Sequence, residues 1–292
     1  MTGSQQLFFN TPKPEATITY KMWGAGGGPY APGTAYRDTG ASGGYTAGSI
    51  VNVFPGDTLY IYVGQGGSRP GSATFGGGGA GGPGAVAGGS GGGASYIFIN
   101  QPGTTPDANL IAVSGGGGGG SGGDYPSPNS AGSGGWPSGF NCPGNSGGFG
   151  GTQSAGGAGG PAPGTGSPGS AGSYLSGGNA GGSAGPYGGG FGGGGGGGGY
   201  YGGGGGGGSG DYYYAASGGG GGSSYYNPSW VPAPSFTYTN TPGSGAGANT
   251  ADPDYGASDA SKYAQPGRVV LTVNGTKYTY SYIGAVQTLT IA

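Results

Sequence analysis

The chain has 292 residues, of which 89 are glycine, against a usual glycine share of about 7%. Charged residues make up 5%, seven Lys or Arg against nine Asp or Glu, with no histidine, one cysteine (Cys142) and one glutamate (Glu15). An ordinary apolar core along the whole chain is excluded, and so few groups suited to acid–base, nucleophilic or metal chemistry remain that no catalytic residue, metal site or cofactor is expected.

The large apolar residues divide the chain. Of the 33 Leu, Ile, Val and Phe, 19 lie between Leu7 and Val113, four in residues 114–230 and ten from Val231 onward. Two conventional ends therefore flank a glycine middle. Residues 1–15 read as an attachment segment. From Ala16 to Trp23, Ile18, Tyr20 and Met22 alternate with Thr17, Thr19 and Lys21, the period of a half-buried strand. Tyr45–Val53 reads the same way, and Phe54-Pro-Gly-Asp57 is a turn by its Pro and Gly. Thr58–Val63, Ser95–Ile99, Leu110–Val113, Arg268–Val273, Tyr278–Tyr282 and Gln287–Ile291 extend a set of about nine short strands rich in Tyr, Thr, Val and Ile. No stretch carries a helical apolar period. The expected fold is all-β, a β-sandwich or jelly-roll formed by residues 16–113 with 231–274, while residues 275–292 add C-terminal strands expected to contact a partner.

The middle, residues 114–230, holds 54 glycines. Collagen would need glycine at every third position, and the runs Gly192–Gly199 and Gly202–Gly208 break that phase. A disordered linker is the plain alternative, although linkers rarely carry Tyr200-Tyr201, Tyr212-Tyr213-Tyr214 and Tyr225-Tyr226. The third reading is a bundle of polyglycine-II helices. Three residues per turn aim N–H and C=O groups in three directions, and only glycine lets neighbours approach closely enough to bond. Ordering costs about 1–2 kcal/mol per residue, so such a bundle needs a cooperative lattice and a rigid platform. Its loop tips would fall where glycine yields to Pro, Tyr, Asn and Asp, as at Asp124–Asn129, Trp136–Asn145, Pro161–Pro168 and Asp211–Tyr214.

The strings Met22-Trp-Gly-Ala-Gly-Gly-Gly28, Gly43-Gly-Tyr45, Pro55-Gly-Asp-Thr-Leu-Tyr-Ile-Tyr-Val-Gly64, Gly91-Gly-Gly-Ala-Ser-Tyr-Ile97, Leu110-Ile-Ala-Val-Ser-Gly-Gly116, Gly218-Gly-Gly-Gly-Gly-Ser-Ser-Tyr225 and Gly267-Arg-Val-Val-Leu271 occur in one order. In that order they resemble the glycine-rich domain of anaplastic lymphoma kinase and leukocyte tyrosine kinase receptors, and the opening strings are similar to those of glycine-rich tail-fibre adhesins and particle proteins of phages and large DNA viruses. The resemblance implies a tumour-necrosis-factor-like β-sandwich with a polyglycine-II bundle inserted between its strands. The start of the chain has no basic, apolar secretory signal, and Cys142 stands alone, so a receptor ectodomain is not the first expectation.

The Tyr, Ser, Gly and Asn composition of the tips is that of antibody loops, where Tyr supplies rigid contact area. Tyr200, Tyr201, Tyr212, Tyr213, Tyr214, Tyr225, Tyr226, Trp136 and Trp230 are the candidate binding residues; they would either recognise a target or cap the bundle. Asp252, Asp254 and Asp259 form the acidic cluster of the chain, but Gly256 stands at the fifth position of an EF-hand spacing, and a turn is the better reading. No Lys or Arg occurs between Arg69 and Lys262, which argues against nucleic acid as a partner. No apolar run approaches the ~20 residues that cross a bilayer, so membrane insertion is not expected. The expectation is a non-enzymatic structural or adhesive protein on the exterior of a virion, a fibre tip or capsid-decorating component, made in the cytoplasm. Its partners would be other structural proteins of the particle and a host surface protein or glycan, and it could form an oligomer. The alternatives are a receptor-type glycine-rich domain that binds a protein ligand, and a low-complexity coat or condensing protein.

Overall fold

A computed structural model describes residues 13–29, 40–100, 108–122, 131–183, 190–210, 214–237, 247–255 and 264–292. Among them are ten strands and no helix, so no helix is long and apolar enough to cross a membrane. The strands are β1 (Ile18–Trp23), β2 (Tyr45–Ile50), β3 (Thr58–Tyr62), β4 (Ser95–Ile99), β5 (Leu110–Ser114), β6 (Tyr225–Tyr226), β7 (Ser235–Thr237), β8 (Arg268–Val273), β9 (Thr276–Ser281) and β10 (Gln287–Thr290). They form two five-stranded sheets, ordered β7-β2-β1-β8-β9 and β10-β3-β4-β5-β6, with every pairing antiparallel. The protein is an all-β sandwich.

Alternation sets the core. Ile18, Tyr20 and Met22 of β1 and Val269 and Leu271 of β8 meet Leu59 and Ile61 of β3 and Ile97 and Ile99 of β4 in one buried cluster. Each such side chain contributes about 1.5–3 kcal/mol when removed from water. β1 sits centrally, bonded to β2 on one side and to β8, which lies 250 residues later, on the other. The far end of the chain is thus needed to complete the first sheet.

At one end of the sandwich the strands run on into glycine. β1 continues into 24–28 and β5 into 115–122, while 40–44 leads into β2, 88–94 into β4 and 218–224 into β6. These extensions bond to one another across the two sheets: the Ala25 amide donates to the Gly93 carbonyl at 2.9 Å, Gly44 to Gly115 at 2.8 Å and Gly117 to Ala25 at 3.0 Å. The runs 192–198 and 202–208 pack beside them, buried throughout.

The bonding pattern inside this glycine body repeats every three residues. The amides of Gly192, Gly195 and Gly198 donate to Val86, Gly89 and Gly92. Those of Gly193 and Gly196 donate to Gly181 and Gly178, and those of Gly194 and Gly197 to Ser217 and Gly220. The carbonyls divide likewise, accepting from 116–122, from 79–82 and from 203–206, with all these bonds at 2.7–3.0 Å. One segment therefore has six bonded neighbours where a β-strand has two. Run 202–208 repeats the arrangement, its amides reaching 167–173, 194–197 and 146–149. Buried backbone groups must be paired, and here the neighbouring segments pair them without ladders or helices. Close approach is what demands glycine: a Cβ built on Gly196 would land on the Gly203 carbonyl oxygen.

Candidate binding surface

The outer face of the β10-β3-β4-β5-β6 sheet carries an aromatic patch because β3 and β4 are apolar on both sides. Leu59 and Ile61 enter the core, while Tyr60 and Tyr62 point outward; Ile97 and Ile99 enter it, while Tyr96 and Phe98 point outward beside Leu110, Val113 and Tyr225. Segments of the glycine body then cover part of this face. The turn bridged between Thr74 and Gly78 brings Phe75, and the hairpin around Tyr174 brings Leu175.

A groove of about 230 Å³ opens there, lined by Tyr62, Phe75, Tyr96, Phe98 and Leu175 with the Gly76–Gly77 backbone. Tyr62 and Phe75 lie nearly parallel, 13° apart with centroids 5.8 Å apart, and Tyr62 meets the rings of Tyr96 and Phe98 edge-on. The buried Tyr96 hydroxyl shares its proton between the carbonyls of Gly76 (3.0 Å) and Leu175 (3.2 Å), which fixes the groove floor to the glycine body. Beside the groove, Tyr200 stacks on Tyr225 at 3.9 Å and 11°, and Tyr174 abuts Tyr200 and Tyr201 edge-on. Burial, then the neighbouring Tyr200 and Tyr174, pushes the Tyr225 phenol up to about 12, and burial raises Tyr62 and Tyr200 as well. These phenols are neutral at physiological pH, able to donate and accept hydrogen bonds while offering flat apolar faces.

The residues singled out from sequence occupy several places. Tyr200, Tyr201 and Tyr225 join the patch just described. Tyr226 and Trp136 lie elsewhere: Trp136 stacks on Phe236 of β7 at 4.6 Å and 8° and tilts against Tyr226 of β6 at 5.3 Å. This trio spans the β6 and β7 edges, closing one side of the sandwich. Trp230 packs against the main core, and its indole N–H donates to the Ala108 carbonyl at 3.3 Å. Tyr214 is exposed, while Tyr212 and Tyr213 lie outside the described residues. Tyr60, Tyr62, Phe75, Tyr96 and Phe98 escaped sequence reasoning. The available signal was Thr58-Leu-Tyr-Ile-Tyr62 and Ser95-Tyr-Ile-Phe-Ile99, which lack the polar alternate positions of a strand with one solvated face.

On the opposite sheet, Asp252 and Asp254 meet cations of this same chain. The Lys21 ammonium donates to both carboxylates at 2.9 Å, and Lys277 to Asp254 at 2.7 Å. Partial burial of Asp252 opposes ionisation, but the bonds from Lys21 and the Asp254 amide outweigh it and hold its carboxyl below the usual range. The bonds from Lys277 and Lys21 lower Asp254 likewise. Asp259 lies outside the described residues. No family model matches the chain, and no curated protein matches it.

Proposed function

We propose that the chain is a non-enzymatic structural and adhesive protein, a fibre tip or capsid-decorating component on the exterior of a virus particle, which binds its target through the uncharged aromatic surface on the outer face of the β3–β4–β5 sheet. The observation that carries this reading is that surface itself: Tyr62 stacked on Phe75 and Tyr200 stacked on Tyr225, all half-buried, at an open groove without an ionic group in its lining. Rings held by one another lose little freedom on binding, which is how tyrosine-rich paratopes gain affinity. A host glycan, through the apolar face of a sugar ring, or an aromatic-rich protein surface suits such a groove better than a charged ligand. Other structural proteins of the particle, or a second copy of the chain, would hold the remainder, with residues 1–15 and 275–292 as the proposed attachments.

In this reading the glycine body is a rigid support, and the three-residue recurrence of its bonds supports a polyglycine-II bundle. The likeness of the opening glycine strings to those of tail-fibre adhesins and particle proteins supports the virion assignment.

Binding of the labelled full chain to host cells and to a glycan array tests the reading, alongside mass spectrometry of purified particles. Tyr62→Ala with Phe75→Ala should reduce binding at least tenfold, whereas Tyr214→Ser, exposed and outside the groove, should not. Equal binding by all three proteins would refute the assigned surface, and absence of the chain from particles would refute the virion assignment.

A further inference from the structure

We propose that the outer edge of β9 is a self-association surface, on which a second copy of this chain lays its own β9 antiparallel and joins the two β7-β2-β1-β8-β9 sheets into one. The turn into β9 is the two-residue Asn274-Gly275, with φ of 48° and 83°, so Val273 and Thr276 form the first bonded pair of the hairpin. By antiparallel alternation Thr276, Tyr278 and Tyr280 direct their backbone groups to β8, while Lys277, Thr279 and Ser281 direct theirs away from it. The Ser281 carbonyl obeys this: it accepts the Gln287 side-chain amide at 3.0 Å, a bond that the second copy's Lys277 amide would replace. Among the described residues no strand lies beyond β9.

Exposed edges are normally guarded by Pro, a bulge or free charge. β9 has no Pro and pairs with β8 without a register shift, and its Lys277 is held on the outer sheet face by Asp254. A second copy fits because the strand complements itself. With a two-fold axis at Thr279, Thr279 faces its own counterpart, Tyr278 faces the second copy's Tyr280, and Lys277 faces the second copy's Ser281. Aromatic pairs form and no like charges oppose each other. Tyr278, Ile283 and Val286, at 37%, 65% and 39% exposure, are the large apolar side chains in and beside this edge and would be covered. A formal net charge of −2 adds little repulsion between copies.

Sedimentation equilibrium of the full chain tests this, with Thr279→Pro and Thr279→Lys as variants. The Thr279 amide points away from β8, so proline removes an edge donor without removing a ladder bond. Lysine leaves the backbone intact and opposes two charges at the axis. The wild-type chain should dimerise. Both variants should weaken the dimer at least about tenfold with unchanged far-UV circular dichroism, and high salt should partly rescue the lysine variant. A wild-type monomer at every concentration, or a dimer that survives both substitutions, overturns the proposal. Pairing of this edge only with a different protein does so too.

Discussion

Substituting alanine in turn at Gly195, Gly196 and Gly197 probes the glycine body where its geometry is least like a sheet. The new Cβ would strike the Gly79 carbonyl oxygen from Gly195, that of Gly203 from Gly196 and that of Gly116 from Gly197, so each consecutive position faces a different segment. At Gly196 the clash displaces a carbonyl that accepts from Gly178 at 2.8 Å, beside Gly196's own bonds to Gly178 (2.9 Å) and from Gly79 (2.8 Å). Overpacking costs about 1–3 kcal/mol, and a backbone group left buried and unpaired about 1–3 kcal/mol more. The lower entropy of the unfolded alanine chain returns about 0.4–1 kcal/mol. The net loss is about 1–5.5 kcal/mol, centred on about 3, and at about 2–4 °C per kcal/mol the melting temperature falls by about 2–22 °C. Gly275→Ala is the reference: its φ is +83° but nothing lies within 4 Å, so only the left-handed strain of about 1–2 kcal/mol applies, less the same ~0.4–1 kcal/mol from the unfolded chain. Thermal and urea unfolding of the full chain measure all four. In a pleated strand, tolerance would alternate with a period of two; here all three lattice substitutions should exceed the reference. The reasoning fails if any of them lies within about 0.5 kcal/mol of wild type, the range of a neutral surface change.

Two titration experiments follow from the same structure. Lys21→Met removes the ammonium shared by Asp252 and Asp254 and should cost about 1–2 kcal/mol at neutral pH, discounted for a side chain one-third exposed. Because these carboxyls are held below their unfolded values, their contribution exists above about pH 4 and is lost as pH falls through the folded values, so urea unfolding should show the gap between the two proteins shrinking as pH falls below about 4. At the alkaline end, burial first and charge neighbours second push Tyr45 and Tyr225 up to about 12. The folded state keeps those protons longer, so stability should hold up to about pH 10 and then fall as pH rises through 12, a decline that Tyr225→Phe should shallow; a flat profile above pH 10 would contradict the assignment.

β1 was legible from its alternation, and β3, β4 and β8 as short runs rich in Tyr, Thr, Val and Ile, since both signals are local properties. β6 and β7, two and three residues long, carry too few positions to show a period. β9 begins at Thr276 rather than Tyr278 because Asn274-Gly275 makes the tightest hairpin and pairing starts at once. That the first and last groups of strands belong to one sandwich was readable, but the strand order was not, since β1 finds β8 across the whole intervening chain. The same distance hid the partner of Asp252, which lies 231 residues away at Lys21. Of the aromatic surface, Tyr200 and Tyr225 stood out as tyrosines in glycine. Tyr62 and Tyr96 looked like ordinary strand residues, and only their neighbours in space set them apart. Short glycine strings such as 24–28 and 40–44 resemble punctuation between strands until their hydrogen bonds are known.

The three-residue recurrence also constrains how such a protein can change in length. Inserting one residue into run 192–199 would rotate every later amide toward the wrong neighbour, and two would do the same in the opposite sense. Three restore each N–H to its original direction, displaced along the segment by one repeat. Neighbouring runs lengthened together by the same triplet would keep every bond and extend the body without altering the sandwich that starts it. Reach is therefore adjustable in steps, independently of the fold at its base and of the aromatic surface at its flank.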